Sequence, residues 1–212
     1  MTIERHVLRN RVRDILLQRI ASGELPQGER IVETRIAAEL GTSQAPVREA
    51  LRELELYRLV ESEPFRGARV RAFGDDELIE IYPVRASLEE LAARLAAPIV
   101  AEDPEPLRAQ LEAMTEAAAA GDIATLSHAD IGFHRAIVAA ASNSILEQCW
   151  RSLGVEGRIA ITLYGTRVEP GQAVELHVPL FDALVAGEAD LAAAEARAHV
   201  ELFARIAMAA PR

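Results

Sequence analysis

Apolar positions at helical spacing open the chain. Over residues 6–21, Leu8, Val12, Ile15 and Leu16 fall on one stripe while Arg5, Arg9 and Arg13 point elsewhere, the pattern of an amphipathic helix. Ser22-Gly23 ends it, and Leu25-Pro26-Gln27-Gly28 reads as a loop. A second helical stretch covers residues 33–40, with Ile36, Ala37 and Leu40 on one side. Gly41 then offers the positive φ that a sharp turn needs. Ser43 is expected to cap the next helix through its hydroxyl, and Pro46 fits its first turn, where a missing N–H costs nothing. That helix runs to about residue 57. Val47, Leu51 and Leu54 face inward, and Gln44, Ala45, Arg48 and Arg52 face solvent.

The period then changes to two. Residues 59–62 form a short β-prone run, Glu63-Pro64-Phe65-Arg66-Gly67 carries turn chemistry, and Ala68-Arg69-Val70-Arg71 alternates small or apolar residues with arginines. Helix, turn, helix and hairpin in that order is the plan of a winged helix-turn-helix. From residue 75 onward strand signals are weak and alanine is abundant. The spacing predicts six helices, over residues 75–97, 104–120, 123–141, 144–164, 170–186 and 189–209. Pro98, Gly121-Asp122, Ser142-Asn143, residues 165–171 and Gly187 are the expected breaks. Leu78, Ile81, Tyr82, Leu88, Leu91 and Leu95 mark a core-like face on the first of these helices, which Pro83 should kink or start. The chain is therefore read as mostly α. A winged helix-turn-helix over residues 1–72 precedes an all-α antiparallel bundle over residues 75–209, joined by a short linker.

Charge supports that division. The whole chain carries −10, which by itself argues against a nucleic-acid partner. Its distribution reverses the argument. Residues 1–72 hold 13 Arg and 11 acidic residues, a balance of +2, whereas residues 73–212 hold 10 Arg and 22 acidic residues, a balance of −12. Lysine is absent, which reads as genomic compositional bias. No apolar run approaches the ~20 residues of a membrane span, and no apolar leader opens the chain, so a cytoplasmic protein without a secretory signal is expected. The single Cys149 excludes an intrachain disulfide and is expected to be a small buried hydrophobe.

Two constellations carry candidate chemistry. The first residues of a second helix-turn-helix helix reach base edges, where Gln pairs with adenine and Arg with guanine. Ser43, Gln44, Ala45, Arg48 and Arg52 are the candidates there, with Arg66 and Gly67 in the wing. The other reading of Arg48, Glu49, Arg52 and Glu53 is a solvated salt-bridge ladder. In the bundle, Asp130 and His134 share a helix face at i, i+4, and His177 and His199 lie on two later helices. Asp plus three imidazoles suits Zn²⁺, Ni²⁺ or Mn²⁺. Satisfied core or surface histidines are the plainer alternative. Arg85 is either a carboxylate-binding guanidinium or the partner of Glu89 at i+4, and Arg158 is a weaker pocket candidate of the same kind. His128 is expected to be solvent-exposed, and His6 has no obvious partner. A metal-dependent hydrolase or lyase is the rival from another class. Against it, the sequence holds no H-E-x-x-H, G-x-S-x-G, Walker lysine or G-x-G-x-x-G.

The stretch SGELPQGERIVETRIAAELGTSQAPVREALRELELYRLVE resembles the DNA-binding domain of the GntR family of bacterial transcription regulators, carried by Gly23, Leu25, Pro26, Gly28, Leu40-Gly41, Ser43, Pro46 to Leu51 and Gly67. Gln44 departs from it, since many members have Arg after the serine. HADIGFHRAIVAAASN and the closing segment from His177 are similar to the FCD ligand-binding domain of the FadR-like subfamily, in its shorter, VanR-like, six-helix form. The resemblance implies that the residues around Ser43 and Arg48 touch DNA and that the wing glycine approaches the minor groove. It also implies that Asp130, His134, His177 and His199 hold a divalent metal, and that Arg85 faces a pocket for a small organic acid. A homodimer on a pseudo-palindromic DNA operator, a repressor released by its ligand, is the expected function. Direct sensing of the metal is a further alternative.

Overall fold

The computed structural model describes residues 2–63, 67–72, 75–165 and 168–209. They divide into two compact units, residues 1–73 with 156–165 and residues 74–155 with 166–212.

In the first unit, α1 (Thr2–Ala21), α2 (Glu33–Glu39) and α3 (Gln44–Leu56) pack around Val12, Leu16, Leu17, Ile36, Val47, Ala50, Leu51 and Leu54, all buried. Leu8 is exposed, so the buried stripe of α1 starts a turn later than its periodicity predicts. Arg13, read as outward-facing, is buried instead. It bridges Asp14 and Glu53 of α3 (2.8 and 2.7 Å), and these carboxylates hold its charge against the cost of burial. Glu53 is thereby bound to α1, so the ladder along α3 is not its arrangement. The wing is β2 (Val60–Glu63) paired antiparallel with β3 (Gly67–Val70). A short strand unseen in the sequence, β1 (Arg30–Ile31), pairs with the other edge of β3. Val60 lies opposite Val70 on the buried face and Glu61 opposite Arg69 on the wet one, the alternation that period two demands.

The second unit holds α4 (Asp75–Glu102), α5 (Glu105–Ala120), α6 (Ile123–Ala140), α7 (Ser144–Ser152), α9 (Pro170–Glu175), α10 (Val178–Val185) and α11 (Ala189–Ala209). α11 runs along α4, and α6 packs on α4 and α5. Asp122 and Asn143 cap α6 and α7 by accepting the N–H of Thr125 and Leu146. Pro98 does not end its helix, and α4 continues through both Pro83 and Pro98. Both prolines lie on the exposed face, where the carbonyls that lose an N–H partner turn toward water. Two of the expected helices are broken. Gly154, with φ +65, separates α7 from α8 (Val155–Tyr164), and Leu176-His177 separates α9 from α10.

α8 is the segment that belongs with the first unit. Gly157 makes the contact possible. A Cβ there would stand 2.3 Å from the Tyr57 carbonyl oxygen and 2.9 Å from Leu59 Cγ. Gly157→Ala gains ~1 kcal/mol of helix propensity, but a backbone oxygen cannot swing aside, and overpacking of this kind costs ~1–3 kcal/mol. Net destabilisation is expected, seen as a lower urea midpoint and faster amide exchange at residues 57–59. An unchanged midpoint would show that α8 does not pack there.

Candidate metal centre and nucleic-acid interface

Within the bundle, α6 places Asp130 and His134 one turn apart, His177 immediately precedes α10, and α11 contributes His199. All four are buried. The His134 Nε2 lies 3.4 Å from His177 Nε2 and 3.3 Å from His199 Nε2, and Asp130 Oδ1 lies 3.5 Å from the Nε2 atoms of both His134 and His177. Ligands held ~2.0–2.1 Å from a tetrahedral Zn²⁺ ion stand ~3.3–3.4 Å apart, so the separations of His134 from its two neighbouring rings fit a first shell. Asp130 Oδ1 is buried without a hydrogen-bond partner, an arrangement that an added cation would satisfy.

The other ring nitrogens are equally ordered. Nδ1 of His177 donates to the Ala173 carbonyl (2.7 Å), Nδ1 of His199 to the Leu176 carbonyl (3.1 Å), and Nδ1 of His134 to Glu89 Oε2 (2.9 Å). Each bond turns the Nε2 edge of its ring toward the others, the orientation that outer-shell partners impose on metal-binding histidines. At the helix break before α10, α9 supplies the carbonyl that orients His177.

Glu89 was not among the sequence-derived candidates. It accepts from Arg85 Nε (2.7 Å), Trp150 Nε1 (3.0 Å) and His134. Against its burial, Arg85 and His134 hold its carboxyl well below the usual range. The only sequence signal for it was its i+4 spacing from Arg85. Of the two readings of Arg85, the structure shows the pairing with Glu89, and its charge also acts on Asp130 and His199. Arg158 is buried on α8, in the segment that clusters with the first unit.

Burial, followed by repulsion from His177, His134 and Arg85, pushes His199 well below the ordinary histidine value of 6.5. Below that value the unfolded chain takes up a proton here that the folded, metal-free chain refuses. Stability is therefore present above pH ~6.5 and is lost as pH falls below it. Asp130 and Glu89, both held low, add losses of the same sign only at more acid pH. Chelator-treated protein should show a lower urea midpoint at about pH 5.5 than at about pH 7.5; equal midpoints would contradict a buried neutral His199.

In the first unit, Gly41 (φ +62) turns the chain from α2 into α3. Ser43 occupies the N-cap position with extended backbone, but its side chain makes no cap hydrogen bond, contrary to expectation. Its exposed hydroxyl stays free for another acceptor. Gln44, Arg48 and Arg52 are exposed on α3, and Ala45 is half-buried beside them. Arg48 pairs with Glu33 at the start of α2 (2.7 Å) rather than along its own helix. Gly67 opens β3 at φ +83 and is exposed. Arg66 lies outside the described residues. Cys149 is exposed, not buried, and His128 is exposed as expected.

Both parts of the chain match known families. Residues 8–70 match the family described as bacterial regulatory proteins, gntR family, and residues 80–202 match the FCD domain. A probable D-xylose utilization operon transcriptional repressor of Paenarthrobacter nicotinovorans is 40% identical over 201 residues, 95% of this chain and 89% of that protein. The gluconate operon transcriptional repressor of Bacillus subtilis is 33% identical over 142 residues, 65% of this chain and 57% of that protein. A crystal structure of a putative transcriptional regulator GntR from Rhodococcus sp. RHA1 superposes with a TM-score of 0.67 at 27% identity, covering 96% of this chain and 99% of the other. These proteins are regulators, not enzymes, which sets the hydrolase alternative aside.

Proposed function

Since this chain belongs to the GntR family of bacterial regulatory proteins and carries an FCD domain, we propose that it is a transcriptional repressor whose hold on its operator is set by a small carboxylate bound at a metal ion in the bundle. The observation that carries this reading is the convergence of three Nε2 atoms and the orphaned Asp130 Oδ1, each ring fixed from behind. Asp130, His134, His177 and His199 would hold the ion, with Zn²⁺ or Ni²⁺ favoured by three imidazoles and Mn²⁺ possible. When bound, the ion offers Lewis-acid positions to a carboxylate oxygen. Glu89 keeps His134 in its ligating tautomer, and Arg85 keeps Glu89 ionised.

Charge narrows the effector. Arg85 and Glu89 cancel, so a divalent ion with Asp130 leaves one net positive charge in a buried site, matched by a monoanion. A sugar-derived acid satisfies this, and one relative is named for a gluconate operon. Preference for one of two arrangements of the DNA-binding units would convert its binding into altered operator affinity.

One chain carries a single recognition helix, so a pseudo-palindromic operator requires two chains. Val84, Leu91, Leu95 and Ile99, between 38% and 50% exposed, form an apolar seam along the outer side of α4. Its spacing of seven and then four residues keeps these side chains on one face and suits a second copy of the same helix. The repressor meets its operator in the cytoplasm. No described helix is long and apolar enough to cross a membrane.

Selection from random duplexes with the Zn²⁺-loaded protein tests the whole reading. Enrichment of a two-fold symmetric site, bound by two chains and released by gluconate or another sugar acid, is the expected result. Failure to enrich any symmetric site would defeat the repressor assignment. Release by added metal alone would replace the carboxylate effector with direct metal sensing.

A further inference from the structure

The pairing of Arg48 with Glu33 places a carboxylate on the surface that is to meet a polyanion. Glu33 opens α2, fifteen residues before Arg48 on α3, and both side chains are solvent-accessible, 30% and 52% exposed. Glu33 adds no phosphate contact and repels every duplex alike, so its charge lowers affinity that does not depend on sequence. Its geometry provides a compensating gain. Arg48 Nε donates to Oε1 and Oε2 (3.2 and 3.1 Å), and Nη2 donates to Oε2 (2.7 Å). That consumes Nε–H and one Nη2–H. The other Nη2–H and both Nη1 hydrogens remain, and that Nη2–H together with one Nη1–H forms the terminal edge of the guanidinium. This edge is the one that pairs bidentately with O6 and N7 of guanine.

We propose that Glu33 is a specificity-determining positioning residue: it clamps the side of the Arg48 guanidinium so that only its terminal edge is offered to a base. A long exposed arginine otherwise samples many rotamers and reaches phosphates and bases alike. With its Nε side tied to α2, Arg48 is ordered before DNA arrives and its promiscuous phosphate contacts are reduced. Glu33 itself is held by the first turn of α2, where the helix N-terminus favours an acid. Specificity obtained this way rests on lowering the affinity common to all sequences while the base contact of Arg48 is kept. The inference depends on the reading of α3 as the recognition helix.

The test uses the full-length Zn²⁺-loaded protein, the duplex enriched from the random pool and a scrambled duplex of equal length. Glu33→Ala should lower affinity for the enriched duplex by roughly tenfold, the size of one charge-assisted contact. Affinity for the scrambled duplex should be unchanged or higher. Glu33→Gln, which keeps one acceptor, should fall between. In an Arg48→Ala background the Glu33→Ala effect on discrimination should vanish. Equal changes on both duplexes would reduce Glu33 to a bulk charge and overturn the proposal, as would an effect that persists without Arg48. If Arg48→Ala alone leaves both affinities intact, the recognition-face reading fails and the proposal falls with it. Unchanged circular dichroism of each variant confirms that folding is not the cause.

Discussion

His134→Ala is expected to abolish tight metal binding and, with it, the metal-dependent part of the bundle's stability. His134 is the hub of the cluster: its Nε2 lies within 3.5 Å of donor atoms on His177, His199 and Asp130, and its Nδ1 holds Glu89. Removing it deletes one ligand and also leaves the buried Glu89 carboxylate without one of its three partners. A ligand that binds only the folded chain stabilises it by ~4 kcal/mol when present at a thousandfold excess over its Kd. Added Zn²⁺ should therefore raise the unfolding temperature of the wild-type protein by several degrees and that of His134→Ala hardly at all. Metal content by mass spectrometry should drop in parallel, while the secondary structure of the first unit persists. A variant that still retained stoichiometric Zn²⁺ would place the ion elsewhere. Glu89→Gln is the finer control. It keeps the shape but weakens the acceptor for Nδ1, and loss of such an outer partner lowers affinity by ~10–100-fold without abolishing binding.

Arg48→Ala is expected to cost ~1–3 kcal/mol of operator affinity, the worth of a bidentate base contact, while the chain stays folded and metallated. The side chain is exposed and its one described pairing is with Glu33, so nothing in the core depends on it. Loss of a base contact also relaxes discrimination at one position of each half-site, whereas loss of a phosphate contact weakens all sequences alike and reduces the salt dependence. Measuring both duplexes across a salt series separates the two. Operator affinity unaffected by the substitution would mean that this face of α3 does not read DNA.

Much of this was legible from spacing. The switch from helical to alternating periodicity near residue 59 located the wing, and Gly41 located the turn before α3. Asp130 and His134 at i, i+4 shared a face in the structure as helix geometry required. Glu89 was less legible, because a buried glutamate on an apolar helix has the same pattern as a surface ion pair until its surroundings are known. Arg13 failed in the same way: one position from the apolar stripe, it reads as solvated, and Asp14 together with Glu53 on another helix makes its burial tolerable. Pro98 misled in the opposite direction. Proline removes one N–H, but that loss ends a helix only where water cannot satisfy the freed carbonyl, and residue 98 faces outward.

Local order was thus set by the chain itself. Apolar periodicity, caps and glycines act over a few residues, so helices, wing and the pairing of Asp130 with His134 follow from neighbours in sequence. What tertiary structure alone decided was which distant groups meet. Residues 130, 134, 177 and 199 span three separate elements, and nothing along the chain states that the Nε2 atoms of His177 and His199 and the Oδ1 of Asp130 all come within 3.5 Å of the His134 Nε2. The same holds for α8, which sequence assigns to the bundle but which packs against Tyr57 because Gly157 has no Cβ. Convergence depends on how helices stack, and stacking is fixed by shape complementarity among all the buried side chains at once, information that no local window contains.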